Sequence, residues 1–106
     1  MKKVLVAIDV SGSISRSGIK RVVSDVLSNI CPSSEVLFGT FDQNFENTTL
    51  VDIMNGDIRP GGGTDLKCVF EVAEDFDHTF ILSDGYFDKK DSETIMESDE
   101  MSLVIL

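Results

Sequence analysis

The 106-residue chain contains few of the residues that identify several protein classes: it has no tryptophan, one histidine, two prolines and two cysteines. Cys31 and Cys68 form no CxxC pair and no Cys/His cluster, which argues against a zinc site. Two cysteines are also too few for a disulfide scaffold. Because both lie in or beside apolar helical patterns, we expect two free thiols, buried or half-buried, in a reducing compartment.

Basic residues are also few: the chain has nine lysines and arginines against nineteen aspartates and glutamates, which gives a formal net charge of -10. Phosphate contacts need Lys and Arg, so this balance disfavours nucleic acid, and it also repels anionic membranes. No apolar run approaches the ~20 residues that span a bilayer, and the run after Lys3 stops at Asp9 without a signal-peptide cleavage site. We therefore expect a cytoplasmic protein that binds neither nucleic acid nor membrane.

Strand and helix patterns alternate from end to end of the chain, which fits one domain over residues 1–106. Residues 4–8 are apolar on both faces and indicate a buried central strand of a parallel sheet. Apolar residues at helical spacing predict helices over 19–30 and 66–73. The other predicted elements are strands over 35–41, 48–53, 78–83 and 102–106, a turn at 42–44 and a short helix over 92–97.

This order, β-α-β-β-α-β-α-β, predicts a doubly wound, Rossmann-like α/β fold with a single, mostly parallel sheet. The first helix leads to the second strand, and the long return places the fourth strand on the other side of the first. The predicted strand order is therefore 3-2-1-4-5, with strand 3 antiparallel at the edge. Strands 1 and 4 then form a topological switch point, where open α/β sheets bind their ligands.

Five oxygen-bearing side chains converge on this switch point. Asp9 ends strand 1 and Asp84 follows strand 4, so their carboxylates meet at the carboxyl edge of two strands that lie ~4.8 Å apart. Two acids this close repel each other unless a cation or a proton lies between them. Ser11 and Ser13 leave strand 1 on a tight turn, and Thr64 arrives from a glycine-rich loop on the opposite side. An all-oxygen set selects hard cations, Mg²⁺ first and then Mn²⁺ or Ca²⁺.

Three segments resemble the motif of von Willebrand factor A domains. Residues 9–13 (DVSGS) are similar to the Asp-x-Ser-x-Ser element of the family, residues 62–65 (GGTD) to its Gly-Gly-Thr loop, and residues 83–85 (SDG) to its Asp-Gly after strand 4. The segments occur in the family's order, and the resemblance extends over nearly the whole chain. The combination is much more specific than any one segment alone.

The resemblance implies a metal-ion-dependent adhesion site, in which Ser11, Ser13 and Thr64 contact the metal directly while Asp9 and Asp84 act largely through water. A carboxylate of a partner protein then completes the coordination. Because hydroxyls are neutral ligands, the metal keeps its positive charge and attracts an incoming Asp or Glu. The chain is shorter than typical members and is more similar to compact bacterial or phage relatives, some of which occur beside AAA-type ATPases.

Each of these residues also has a local interpretation. Ser11 and Ser13 suit turn amides or a helix cap, Thr64 suits an N-cap, and Asp84 before Gly85 is a common turn pair. Their convergence on one crevice favours the cation site over these separate roles.

Asp42 and Asp65 are candidates for a supporting role beside the metal. Asp42 lies at the end of strand 2 and reaches the same rim, while Asp65 either orients a ligand or a water, or caps the helix over 66–73. His78, the only histidine, opens a strand, which favours a structural over a catalytic role.

Two other functions fit parts of the pattern. A Mg²⁺-dependent phosphohydrolase also uses an Asp at the end of strand 1, but Ser11 stands where a second Asp would act as acid and base, and only Arg59 and Lys67 lie near the loop to hold a phosphate. A metal-free scaffold is the third possibility. We predict a non-enzymatic, divalent-metal-dependent module that captures an acidic side chain of a protein partner.

Helix coverage of the predicted sheet is incomplete. One long helix, ~10–12 Å wide, covers one face of a five-stranded sheet about 24 Å across. We expect apolar residues to show on the rest of that face and to mediate self-association or a permanent partner contact.

Overall fold

Within residues 2–10, 16–56, 65–84 and 88–106, which the computed structural model describes, the chain forms five strands and four helices. In chain order they are β1 (Lys3–Asp9), α1 (Arg16–Ser28), β2 (Glu35–Phe41), β3 (Phe45–Thr48), α2 (Leu50–Asn55), α3 (Lys67–Ala73), β4 (His78–Ser83), α4 (Lys89–Glu97) and β5 (Met101–Ile105). None of the helices in these ranges is both long and apolar enough to cross a bilayer.

The five strands form one sheet in the order β3-β2-β1-β4-β5. β1 pairs in parallel with β2 on one side and with β4 on the other, and β5 continues in parallel beside β4. β3 runs antiparallel to β2 at the edge. The predicted fold class and strand order, including the antiparallel third strand, are confirmed.

β1 is apolar on both faces because helices cover both sides of the sheet. Six of its seven residues are buried, and alternate side chains enter two separate cores. We call the side that carries Val6 and Ile8 the first face and the side that carries Leu5 and Ala7 the second face. The first core consists of Val6, Ile8, Val10, Ile19, Val23, Val26, Ile53 and Leu82. The second core consists of Leu5, Ala7, Phe41, Leu66, Val69, Ile81 and Ile95.

The predicted strand over 48–53 is wrong, because β3 ends at Thr48 and the chain then enters helix α2. The Thr49 side chain caps that helix by accepting a hydrogen bond from the Asp52 amide at 3.1 Å. Gly56 ends it with a left-handed φ of 77°. These two caps outweigh the strand preference of the β-branched residues between them, and Ile53 gains a place in the first core.

Helix α2 also changes the coverage of the first face. It lies beside α1, so two helices cover this face where one was expected. Phe80 and Val104, on the β4–β5 side of that face, are half-buried against the core. Helix α2 therefore covers part of the face that was expected to be bare, and self-association stays a prediction.

The two cysteines occupy different environments, and both are free thiols as predicted. Cys68 is half-buried in α3, whereas Cys31 is exposed, so the expectation of burial is wrong for Cys31. Cys31 follows the end of α1 and lies in the turn before β2, where the apolar periodicity of the helix no longer applies. Its Sγ lies 3.1 Å from Ser33 Oγ, and this hydrogen bond, with a second from the Ser33 backbone, lowers the pKa of the Cys31 thiol.

Candidate metal centre

The carboxyl edge of the central strands holds a buried acid. Asp9 is the last residue of β1, and its side chain is fully buried. A carboxylate taken out of water is costly unless hydrogen bonds or opposite charge compensate it. Ser83, the last residue of β4 and equally buried, donates a hydrogen bond from Oγ to Asp9 Oδ2 at 2.7 Å. The short distance is that of a charge-assisted O–H···O bond.

Strand register explains why these two side chains meet. Ile8 of β1 pairs with Leu82 of β4 in the parallel ladder, so the next residue of each strand lies level at the same edge. Alternation along the strands turns both Asp9 and Ser83 toward the second face. The role of Ser83 was missed from the sequence, because it depends on which residues of β1 and β4 lie level in the sheet.

Asp84 directly follows β4 and is half-buried. The structure therefore places Asp9 and Asp84 where the sequence put them, at the carboxyl ends of two adjacent strands. Their part in binding a cation stays a prediction. Ser11, Ser13 and Thr64, the predicted hydroxyl ligands, lie outside the described residues.

The flanks of those hydroxyl residues are anchored on the same edge. The Val10 amide, next to Ser11 in the chain, donates to the Phe41 carbonyl at 3.0 Å and so extends β1 along β2. The Asp65 amide, next to Thr64, donates to the Asp42 carbonyl at 2.8 Å. Both anchor points lie at the end of β2, which is the neighbour of β1.

Asp42 lies at the predicted rim position, one residue beyond β2, where Phe41 pairs with Asp9. Its Oδ1 accepts a hydrogen bond from the Asn44 amide at 2.9 Å and shapes the predicted turn between β2 and β3. A Cβ on Gly39 would clash with the Phe45 ring, so this hairpin closes tightly over a glycine. The role of Asp42 near a metal stays a prediction.

Asp65 has a local role at the start of α3. Its Oδ1 accepts a hydrogen bond from the Lys67 amide at 3.0 Å, in the first turn of the helix, while the N-cap position itself falls on Leu66. This contact supports the interpretation of Asp65 as a cap of the helix start, because it satisfies one of the amides that a helix start leaves unpaired. The predicted cap at Thr64 lies outside the described residues.

The negative charges of Asp65 and Asp42 affect the pKa of a neighbouring thiol, that of Cys68. The Cys68 Sγ donates to the Asp65 carbonyl at 3.1 Å. Burial raises the pKa of the Cys68 thiol, and the Asp65 carboxylate, together with Asp42 to a smaller extent, raises this pKa further. The thiol is therefore protonated at neutral pH and acts as a donor.

The side-chain oxygens described at this edge belong to carboxylates and hydroxyls, which are the ligands that a hard cation prefers. In the part of the chain that the structure describes, no three His, Cys, Asp or Glu side chains lie together in a way that could hold a metal ion. The predicted site adds hydroxyl ligands to Asp9 and Asp84, and those hydroxyl residues lie outside the described part of the chain.

His78 lies at the opposite edge of the sheet, at the start of β4. Its Nε2 lies 3.0 Å from Ser102 Oγ on β5, and its ring centroid lies 4.7 Å from that of Phe80. Burial lowers the pKa of His78, Glu100 raises it, and Lys2 lowers it. These contacts leave His78 half-buried, and its structural role stays a prediction.

Sequence comparisons identify no relative, since no family model and no curated protein matches the chain. Solved structures do match. One is an aerotolerance-related membrane protein from Bacteroides fragilis, with a TM-score of 0.64 and 15% identity over 97% of this chain. Another is the conserved hypothetical protein BatB from Bacteroides thetaiotaomicron, with a TM-score of 0.65 and 15% identity over 99% of this chain.

These similarities define the class of fold. The chain shares its Rossmann-like α/β fold with both Bacteroides proteins. It spans 65% of the length of each of them. At 15% identity the comparison concerns the fold alone.

Proposed function

We propose that this chain is a von Willebrand A domain that binds a protein partner through a divalent cation. The cation, Mg²⁺ first among the candidates, would be held by Asp9, Ser11, Ser13, Thr64 and Asp84. The observation that carries the proposal is the fully buried Asp9 carboxylate, hydrogen-bonded to Ser83 beside Asp84 at the switch point of the sheet.

The anchored flanks support the proposed ligand set. Val10 is bonded to the end of β2 immediately before Ser11, and Asp65 is bonded to the end of β2 immediately after Thr64. Val10, before Ser11, and Asp65, after Thr64, are therefore both held at the end of the strand that neighbours the strand of Asp9. This is the arrangement that a set of ligands from two loops requires.

The charge balance supports a carboxylate as the group that the cation captures. Three hydroxyl ligands are neutral, so the ion keeps positive charge for an outside Asp or Glu. The chain itself carries a formal net charge of -10, which repels an acidic partner when the cation is absent. Partner binding should therefore depend strongly on the metal. The proposal assigns no catalytic residue, and an accessory role beside an AAA-type ATPase in the cytoplasm is part of it.

Calorimetric titration tests the proposal. Mg²⁺, Mn²⁺ and Ca²⁺ are titrated into the unmodified chain, into Asp9→Asn and into Asp77→Asn. Asp9→Asn keeps the volume and an acceptor for Ser83 but removes the charge, so we expect uptake to be lost. Asp77 is exposed at the opposite edge, where its Oδ2 accepts a hydrogen bond from the Lys3 amide at 2.8 Å, and its variant should bind the cation normally.

The partner is tested by capture from a lysate with and without a chelator, using the same three chains. Capture that requires both the cation and Asp9 supports the proposal. A chain that takes up none of the three ions, or Asp9→Asn binding them as tightly as the unmodified chain, would overturn it.

A further inference from the structure

We infer that Ser83 is a positioning residue of the proposed cation site: its hydroxyl fixes the orientation of the Asp9 carboxylate toward the ion. This inference rests on the proposed function and adds to it a residue outside the proposed ligand set. It concerns how tightly the ion is held.

The Ser83 hydroxyl restrains one oxygen of the Asp9 carboxylate. Ser83 Oγ donates to Asp9 Oδ2 at 2.7 Å, so one carboxylate oxygen is committed to a fixed donor on the neighbouring strand. Both side chains are fully buried, which keeps bulk water from replacing the hydroxyl. Side chains that hydrogen-bond to metal ligands fix the orientation of those ligands, and their loss typically weakens metal affinity by ~10–100-fold.

The backbone holds Ser83 in place from both sides. Ser83 pairs with Ile105 in the β4–β5 ladder, and its carbonyl accepts a hydrogen bond from the Leu106 amide at 2.9 Å. Asp9 pairs with Phe41 in the β1–β2 ladder. The Asp9–Ser83 bond therefore joins two strands that are each fixed in the interior of the sheet, which is the rigid support that a ligand needs.

A merely structural serine would stabilise the chain without affecting the ion, and Thr79 provides the matched control. Thr79 belongs to the same strand, faces the same side and is 1% exposed. It lies four residues earlier, where it pairs with Leu5 rather than with Asp9. Thr79→Val removes a buried hydroxyl of β4 far from the carboxyl edge.

The experiment compares Mn²⁺ affinity, by calorimetry, in the unmodified chain, Ser83→Ala, Ser83→Thr, Ser83→Val and Thr79→Val. Thr and Val have nearly the same shape, so the Ser83→Thr and Ser83→Val pair isolates the hydroxyl even where Ser83→Ala fails to fold. We expect Ser83→Ala and Ser83→Val to weaken Mn²⁺ binding about tenfold or more. Ser83→Thr should restore most of the affinity, and Thr79→Val should leave it within about twofold of the unmodified chain.

The outcomes separate the two proposals. Equal Mn²⁺ affinity in Ser83→Thr and Ser83→Val, or losses no larger than that of Thr79→Val, would overturn the positioning role while leaving the cation site intact. No Mn²⁺ uptake by the unmodified chain would overturn both.

Discussion

The two ends of the β1–β4 pair are joined in opposite ways. At the amino edge, exposed Asp77 accepts a hydrogen bond from the Lys3 amide at 2.8 Å. At the carboxyl edge, buried Asp9 accepts one from the buried Ser83 hydroxyl at 2.7 Å. Water can replace the first bond when it breaks but has no access to the second. One end of the sheet is therefore joined by an exposed contact, while the other keeps a desolvated carboxylate in a buried contact.

The largest expected difference between the two edges is in stability. Ser83→Ala removes a hydrogen-bond donor from the buried Asp9 carboxylate, so we expect a loss of about 1–3 kcal/mol in the free energy of unfolding. Asp77→Ala changes an exposed side chain and should stay within about 0.5 kcal/mol. Urea denaturation of both variants, without added metal, measures the difference. Equal losses would remove the contrast between the edges.

The reactivity of the two thiols should also differ between the edges, because one thiol lies near each edge. Cys31 precedes β2 at the amino edge, and its pKa is lowered by hydrogen bonds with Ser33. Cys68 lies beside the acidic rim, and burial together with Asp65 raises its pKa. Since the thiolate is the reactive form, we expect iodoacetamide at pH 8 to label Cys31 several times faster than Cys68. Mass spectrometry of the two labelled peptides follows the rates, and faster labelling of Cys68 would contradict the described rim.

The smallest expected effect belongs to His78 at the amino edge. Burial lowers its pKa, so the unfolded chain binds the proton more readily than the folded one. The contribution of His78 to stability is therefore fully present above pH ~6.5 and is lost as the pH falls toward the folded-state pKa.

Thermal unfolding of the unmodified chain and of His78→Gln between pH 7.5 and 5.5 tests the direction of this pH dependence. The unmodified chain should lose more stability on acidification than the variant does, while both bind Mn²⁺ equally. A variant with a steeper pH dependence than the unmodified chain would contradict the assignment.

The sequence predicted the sheet because its strongest signals come from single elements. A strand apolar on both faces indicated the centre of the sheet, and the connection lengths then fixed the strand order. The segment over 48–53 failed because its β-branched residues resemble a strand, while the cap at Thr49 and the core position of Ile53 are decided by tertiary contacts.

Only part of the candidate site could be predicted from the sequence. Asp9 and Asp84 could be placed at one edge from the topology alone. The Asp9–Ser83 bond could not, because it depends on strand register and on which hydroxyl of a neighbouring strand is level with the acid. The sequence left two interpretations of Asp65 open, a helix cap and a supporting role beside the metal. Only the contact with the Lys67 amide identifies Asp65 as a helix cap.

The proposed cation site can be seen directly in the anomalous difference density of a crystal grown with Mn²⁺. We expect a peak at the carboxyl edge, between the ends of β1 and β4 and bounded by Asp9 and Asp84. A crystal that shows no peak at this edge, or a peak that contacts neither aspartate, would contradict it.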